Sequence, residues 1–454
     1  MKQNLKYRVA VAGSKLAKKA MRLLGRDGTH TPGQIALKID PNLLKHLPKS
    51  KVRVAITGTN GKTSVSNLVS GFLASKNLAY LNNSFGSNIL QGTTTALIDG
   101  LNFKGDKIKD YAVLEVDELA SRQIFPDYKP QYLAITNLFR DSYRRNANVE
   151  FIFSRLNRFI EDDTHLILNA DDLISSQLKP QNPRTYFSIA SLGEEKTSRH
   201  DLINDLTICP VCDHPLTYEF QHYHHIGKAA CSNCGFSNPK PDYQITQAFD
   251  DHFILRHENE DYTVNYSSEN VVNLYNVLVV IVTLHVMGFD LNEIIAYVSN
   301  PQFPQTRFEE IIVNDKKIIT IMGKDQNPVA VTRAFDYIQK YDTSKSLGII
   351  LTNPTDEHGK EHENVAYLYD VNFEYLNHPH IKRVGIGTAR YLDYQARLEL
   401  AGYPKDQIIS RADELDFLTD FPIDDLDVLF LIPGTKNLKK VNTIKEGLIS
   451  KAKE

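Results

Sequence analysis

The 454-residue sequence contains no tryptophan and only four cysteines. Four cysteines in so long a chain cannot form the disulfide framework typical of small secreted proteins, so we expect a reducing, cytoplasmic compartment. Neither sign of charge dominates, because 52 Lys and Arg residues oppose 55 Asp and Glu residues, a formal net charge of −3. An overall attraction to nucleic acid or to an anionic membrane is thereby excluded, and any such attraction must be local.

Long hydrophobic runs are also missing. The longest apolar region, Val271 to Phe289, includes Asn273, Asn276, Thr283 and His285, which are costly in hydrocarbon. It predicts a buried helix rather than a transmembrane span.

The first 26 residues hold eight Lys or Arg and no Asp or Glu. No apolar stretch or cleavage pattern follows, so a secretory signal is rejected. Apolar residues at helical spacing between Val9 and Leu23 predict an amphipathic basic helix. Two interpretations stay open: a helix packed on its own domain with a solvated basic face, or a surface that meets anionic lipid headgroups on the inner face of the membrane.

The length predicts about three domains. Residues 1–48 form a basic helix followed by a connector rich in Gly and Pro, residues 49–300 form a first α/β domain, and residues 301–454 form a second. Continuous apolar strands alternating with helical patterns predict parallel sheets covered on both faces. The strand predictions are 52–57, 111–116, 132–136, 166–168, 318–322, 347–352, 384–386 and 428–432. Residues 205–240 interrupt this rhythm and are interpreted as an insertion.

A glycine-rich turn follows the strand at 52–57 and reads Gly58-Thr59-Asn60-Gly61-Lys62-Thr63. A strand, a tight glycine turn and a helix N-terminus place backbone N–H groups around a phosphate. Lys62 can reach the terminal phosphates, and the Thr63 hydroxyl can ligate Mg²⁺. The sequence therefore predicts a nucleoside triphosphate site.

Polar residues follow the predicted strands at the edge where a doubly wound sheet binds its ligand. They are Glu115 and Asp117, Asn137 and Asp141, and Asn169, Asp171 and Asp172. Carboxylates here could hold Mg²⁺, while Asn169 and Asp171 could bind ribose or base. Each alone is more typical of a turn or a helix cap, but their convergence favours a functional set.

All four cysteines fall in two CxxC pairs, Cys209 with Cys212 and Cys231 with Cys234, separated by 18 residues. This spacing predicts a structural zinc site with four thiolate ligands. The histidines between the pairs, His214, His222, His224 and His225, are then expected at the surface. If all four cysteines bind metal, no thiol remains to act as a nucleophile.

Together these motifs resemble the Mur ligase family, and within it the MurT-like subunits of lipid II isoglutaminyl synthase, which work with a glutaminase subunit, GatD. The resemblance covers nearly the whole chain and includes the GTNGKT loop, the segments 113–118, 137–141, 169–172 and 273–276, Arg307 and 367–374. The cysteine insertion is its most specific mark. The fold it implies is a Mur ligase-like parallel-sheet ATPase domain with an inserted zinc ribbon, followed by a Rossmann-like α/β domain.

The resemblance implies an ATP-dependent ligase that amidates the α-carboxyl of D-glutamate in lipid II through an acyl phosphate, using ammonia from the partner. Lys62 and Thr63 would bind phosphates and Mg²⁺, and Glu115 would ligate Mg²⁺. Asn273 and Asn276 would line the nucleotide pocket, and Arg307 would contact the phosphates. Asp370 would reach across the subunit interface to orient the glutaminase histidine, although a capping aspartate is an equally good interpretation.

Two other functions remain open at this point. A Mur-type or folylpolyglutamate-type ligase would add an amino acid through the same acyl phosphate. A noncatalytic nucleotide-binding scaffold would use its zinc ribbon to bind a protein or nucleic acid. The sparse basic clusters in residues 205–240 weigh against nucleic acid.

Overall fold

Two sheets, each in its own unit of the chain, organise the protein. The structure, a computed structural model, describes residues 5–84, 87–102, 104–141, 148–193, 201–267, 270–300, 308–321, 327–352, 365–433 and 438–453. The first unit holds most of the chain up to residue 304. The second holds the chain from residue 305, together with the short segments 141–147 and 199–204.

The first unit is built on a nine-stranded sheet of order β11-β10-β9-β6-β5-β4-β1-β3-β2. From β9 through to β2 in this spatial order, each strand runs parallel to its neighbours. At the other end of the sheet, β10 is antiparallel to both β9 and β11. The strands are β1 (Val52–Thr57), β2 (Tyr80–Asn82), β3 (Tyr111–Glu115), β4 (Tyr132–Ile135), β5 (His165–Asn169), β6 (Arg184–Ile189), β9 (Tyr243–Ala248), β10 (His252–His257) and β11 (Glu260–Asn265), with the separate hairpin β7 (Thr217–Tyr223) and β8 (Ile226–Ala230).

Helices cover this sheet, so β1, β3 and β5 each end in four consecutive buried residues. Such strands are typical of a parallel sheet buried on both faces, as the sequence predicts. The helices of the unit are α1 (Leu5–Leu23), α2 (Thr31–Ile39), α3 (Leu43–His46), α4 (Lys62–Ser75), α5 (Leu90–Asp99), α6 (Ser121–Ile124), α7 (Val149–Phe159), α8 (Val271–Val286) and α9 (Leu291–Val298), with a 3₁₀ turn at Ser175–Gln177.

The stretch before residue 49 that the sequence analysis interprets as a connector contains two helices, α2 and α3. Pro32 stands in the first turn of α2, where its missing N–H would have no partner in any case. Gly33 lets α2 approach α5 closely: a Cβ there would lie 1.9 Å from the carbonyl oxygen of Gln91. These two residues belong to a helix, not to an irregular linker.

The second unit contains a six-stranded sheet of order β12-β13-β17-β14-β15-β16, parallel except for β12 at its edge. Its strands are β12 (Phe308–Val313), β13 (Lys316–Ile321), β14 (Leu347–Thr352), β15 (Ile381–Gly387), β16 (Ile408–Arg411) and β17 (Val428–Pro433). Its helices are α10 (Pro328–Lys340), α11 (Tyr391–Leu400), α12 (Asp416–Asp420) and α13 (Leu438–Lys453), with 3₁₀ turns at Ala366–Tyr369, Phe373–Leu376 and Lys405–Gln407.

The predicted buried helix after Val271 is α8, with twelve buried residues. Among the residues described, no helix combines the length and the hydropathy that a bilayer crossing needs.

Candidate active site

The glycine turn lies between the end of β1 at Thr57 and the start of α4 at Lys62. Gly58 and Gly61 have φ values of 122° and 90°, which side chains with a Cβ rarely adopt. Neither position has room for a side chain. A Cβ on Gly58 would lie 2.3 Å from Thr136 Oγ1, and a Cβ on Gly61 would lie 2.2 Å from Asn276 Oδ1. The turn is thus held close to the chain after β4 and to α8, and Asn276 lies against the phosphate loop.

Hydrogen bonds from the residues after β4 fix the shape of this turn. Asn60 N donates to Asn137 Oδ1 at 3.1 Å, and Asn137 Nδ2 donates back to the Asn60 carbonyl at 3.1 Å. Thr59 N donates to the Asn137 carbonyl, and the Thr59 hydroxyl is bonded to both backbone groups of Phe139. The buried Asn60 Nδ2 has no hydrogen-bond partner in the described structure. An oxygen-rich ligand over the turn would satisfy it.

Lys62 is buried and is held by acceptors of the protein. Its Nζ donates to the Gly58 carbonyl and lies 3.3 and 3.4 Å from the two carboxylate oxygens of Glu118, and both side chains are 8% exposed. Sequence reasoning missed Glu118, although it stands three residues after Glu115 in the same segment. Phosphates reaching Lys62 would compete with Glu118 for the ammonium group.

Glu115 ends β3 beside the loop, since Ile56 of β1 pairs with it. It is 4% exposed, and its Oε1 accepts a hydrogen bond from Asn88 Nδ2 at 2.9 Å. Asn83 Oδ1 accepts from the Glu115 backbone N–H, which fixes the strand end. Thr63, in the first turn of α4, is exposed. A carboxylate and a hydroxyl are the hard oxygen ligands that Mg²⁺ prefers, so Glu115 and Thr63 fit the metal predicted for them.

Asn169 is the last residue of β5 and Asp171 follows it, and both are buried. Asp171 Oδ2 accepts from Tyr275 Oη at 2.6 Å and from Ile189 N at 2.8 Å, and burial raises the pKa of this carboxyl to about 6. These contacts favour a structural role for Asp171 over the predicted contact with ribose. Asn169 Oδ1 accepts from Asp171 N, while its Nδ2 has no partner in the described structure. Asn273 is half-buried one turn before Asn276 on α8.

The four cysteines form one cluster in which all four Sγ atoms lie within 4.8 Å of one another. Cys209 Sγ is 3.5 Å from Cys234 Sγ, and Cys212 Sγ is 3.5 Å from Cys231 Sγ. A zinc ion at about 2.3 Å from each thiolate of a tetrahedron separates its sulfurs by roughly 3.8 Å. The cluster therefore fits zinc. Each pair is followed by a residue of positive φ, Asp213 at 57° and Gly235 at 78°.

The histidines between the cysteine pairs correct one prediction, since His222, His224 and His225 are buried rather than at the surface. They lie around the turn of the β7–β8 hairpin, which packs against the segments that follow β4 and β5. The His225 ring packs on Phe139 with centroids 4.3 Å apart, and His225 Nε2 is 3.4 Å from Asp172 Oδ1. Only the fourth histidine, His214, is exposed.

Further hydrogen bonds join this hairpin to the segment after β5. Gly227 N donates to the Asp171 carbonyl at 2.9 Å, and Asn238 Nδ2 donates to the Ala170 carbonyl at 2.7 Å. Asp172 Oδ2 in turn accepts from Leu138 N at 2.8 Å, within the segment that shapes the phosphate loop. A continuous set of contacts therefore runs from the hairpin between the two cysteine pairs to Thr59 and Asn60.

Two other predicted site residues do not belong to the described part of the first unit. Asp370 follows the 3₁₀ turn Ala366–Tyr369 in the second unit and is half-buried. Arg307 lies outside the described residues. The structure thus brings together Gly58 to Thr63, Glu115 and Asn276 in the first unit.

Family models match both units: residues 56–208 match the Mur ligase middle domain, and residues 325–432 match the MurT ligase C-terminal domain. The resemblance to Mur ligases predicted from the sequence is confirmed over these two ranges. It assigns the chain to the ATP-dependent ligases and implies ATP and Mg²⁺. Two Mur ligase relatives are described as subunit MurT of lipid II isoglutaminyl synthase (glutamine-hydrolyzing). That of Staphylococcus aureus is 28% identical over 88% of this chain and 90% of its own length, and that of Streptococcus pneumoniae is 27% identical over 89% of each.

Solved Mur ligase structures share the fold. A pseudomurein peptide ligase type C from Methanothermus fervidus superposes with a TM-score of 0.68 at 19% identity, covering 90% of this chain and 81% of that one. MurF from Acinetobacter baumannii superposes with a TM-score of 0.62 at 14% identity, covering 92% and 80%. The predicted α/β Mur ligase fold is confirmed.

Proposed function

We propose that this chain is the synthetase subunit of a lipid II isoglutaminyl synthase. In this reaction an oxygen of the D-glutamate α-carboxylate attacks the γ-phosphorus of ATP, and ADP leaves. Ammonia then attacks the carbonyl carbon of the acyl phosphate, loses a proton, and expels inorganic phosphate to leave the α-amide of D-isoglutamine. The observation that carries the proposal is the combination of a Mur ligase phosphate loop with a MurT-type C-terminal domain in one chain.

The residues of the loop have distinct parts in this proposal. Backbone N–H groups at the start of α4 would hold the phosphates, since the first N–H groups of a helix have no acceptor within it. Lys62 would leave Glu118 and neutralise charge on the transferred phosphoryl group, where such charge stabilises the transition state most. Thr63 and Glu115 would hold Mg²⁺, which supplies Lewis-acid polarisation of the phosphates. Asn169, Asn273 and Asn276 would contact the nucleoside, and Arg307 the phosphates.

Ammonia would come from a separate glutaminase subunit of the GatD type. Glutamine hydrolysis commonly uses a cysteine thiolate, and all four cysteines of this chain lie in the zinc cluster. The relatives named MurT are themselves called subunits, which supports a heterodimer. Asp370 is the residue proposed to face the glutaminase. Purified chain should amidate lipid II with ammonium salts alone, but with glutamine only after the partner is added.

Isotope transfer tests the acyl phosphate. Lipid II labelled with ¹⁸O in the α-carboxyl of D-glutamate should yield inorganic phosphate that carries one ¹⁸O atom, as read by mass spectrometry. The Lys62→Ala variant should release no labelled phosphate. Unlabelled phosphate from an active enzyme would refute the acyl phosphate. A product extended by an amino acid, formed without a partner, would favour the amino-acid-adding ligase instead.

A further inference from the structure

Helix α1 presents an apolar stripe that the fold leaves uncovered. Leu5, Val9, Leu16 and Leu23 are 75%, 48%, 69% and 81% exposed. At about 100° of rotation per residue these four side chains fall within about 40° of arc. Tyr7, Ala10, Val11 and Ser14, which α1 buries, lie on the opposite side. The stripe therefore does not belong to the core of this unit.

Basic side chains flank one side of this stripe. Arg8, Lys15, Lys19 and Arg22 project from one neighbouring arc of α1, and the whole helix contains no Asp or Glu. An apolar stripe bordered by Lys and Arg is typical of helices that lie in the plane of a membrane interface. Such positive charge would not help a helix that is buried against another apolar surface.

The basic flank of α1 also forms one wall of a cleft of about 1150 Å³. The other walls come from the end of α3 and the turn before β3. Five basic side chains line the cleft against a single carboxylate, that of Asp106: they are Arg8, Lys15, Lys45, Lys49 and Lys104. Asn102 Nδ2 donates to Asp106 at 2.7 Å, which lowers the pKa of this carboxyl and stabilises its charged form. The cleft therefore keeps an excess of positive charge, which suits an anionic lipid headgroup.

We propose that the stripe of α1 and the basic cleft beside it form a membrane-docking surface for anionic phospholipids. The aliphatic side chains enter the interfacial region of the bilayer, and the cleft takes a phosphate headgroup. A second copy of the chain is a poorer occupant of this surface. A stable protein interface buries about 800 Å² of accessible surface on each partner, and four aliphatic side chains offer far less. The docking surface does not depend on the ligase reaction, so its test is separate from that of the proposed function.

Vesicle sedimentation tests this surface with the full chain and no substrate. The probes are vesicles of phosphatidylglycerol mixed with phosphatidylcholine, and vesicles of phosphatidylcholine alone. We expect at least about tenfold tighter binding to the anionic vesicles, weakened by added salt. Leu16→Asp combined with Leu23→Asp should lower binding more than about tenfold, since both aspartates would enter the interface. The matched control, Leu392→Asp with Leu400→Asp, changes leucines that are 63% and 72% exposed on α11 and should bind as the unaltered chain does.

The basic cleft is tested separately by Arg8→Gln, Lys45→Gln and Lys104→Gln. Each should weaken binding to anionic vesicles by about fivefold and leave binding to phosphatidylcholine unchanged. Circular dichroism and nucleotide binding confirm that each variant is folded. Equal binding of the unaltered chain to both vesicle types, or an equal loss in the α11 control, would overturn the proposal. So would stripe variants that keep vesicle binding but no longer assemble with the glutaminase subunit or with a second copy, since the stripe would then dock protein.

Discussion

Gly61→Ala probes the phosphate loop most sharply, because the structure separates two costs of the added methyl group. The first is conformational: at a φ of 90° a residue with a Cβ costs about 1–2 kcal/mol. The second is steric, because the new Cβ would lie 2.2 Å from Asn276 Oδ1, on a helix buried in the core. Overpacking of this kind costs about 1–3 kcal/mol.

A control in the same chain isolates the first cost. Gly288 has a φ of 96° but no atom within 4 Å of the position of a Cβ, so Gly288→Ala should lose only the conformational part. In urea unfolding followed by circular dichroism, Gly61→Ala should be destabilised more than Gly288→Ala by about 1–3 kcal/mol. Adding Asn276→Ala to Gly61→Ala should remove most of that difference, because it removes the atom that the methyl group meets.

Nucleotide binding supplies the second readout for these variants. Calorimetric titration with ADP and Mg²⁺ should show about tenfold or greater weakening for Gly61→Ala, equivalent to about 1.4 kcal/mol, and no change for Gly288→Ala. If both variants lose the same stability and both keep full ADP affinity, the described geometry of the loop does not determine phosphate binding.

Three further predictions concern Lys62, the cysteine cluster and Asp171. Lys62→Ala should abolish amidation and also destabilise the fold, because it leaves Glu118 buried without its cation. Adding Glu118→Gln to this variant should restore stability but not activity. Recovery of amidation in the double variant would argue against a catalytic Lys62. Cys209→Ser should lose zinc in elemental analysis and should bind ADP more weakly, through the contacts of the hairpin. The control Val211→Ser, at a site 67% exposed in the same knuckle, should keep both its zinc and its ADP affinity. ADP affinity that survives zinc loss would refute the coupling of the cysteine cluster to the phosphate loop. Burial raises the Asp171 pKa from 3.8 to about 6, so the stability contributed by this carboxyl is complete below about pH 4 and is lost as the pH rises through about 6. Asp171→Asn should therefore gain stability relative to the unaltered chain over that interval in urea unfolding, and a constant difference would contradict the pKa shift.

The local patterns of the sequence predicted the parts of the site that neighbouring residues determine. The strand at Val52–Thr57, the glycine turn and the start of α4 lie within a dozen consecutive residues, and the CxxC pairs fix their own knuckle turns. Pro32 misled the prediction, since a proline reads as a helix breaker although it is favoured in the first turn of a helix.

Long-range packing determined what the sequence could not. The burial of His225 depends on the hairpin turn meeting Phe139 and Asp172, residues 86 and 53 positions earlier in the chain by their numbers. No periodicity in residues 217–230 encodes that contact. The pairing of Lys62 with Glu118 is likewise set by the parallel register of β1 and β3, which joins segments far apart in sequence.

Calorimetry with a hydrolysis-resistant ATP analogue and Mg²⁺ tests the central claim most directly, because every proposed step begins with a nucleotide on the loop at Gly58 to Thr63. The account predicts saturable heat corresponding to one nucleotide per chain, strongly reduced in Lys62→Ala. Folded, unaltered protein that takes up no nucleotide would contradict it.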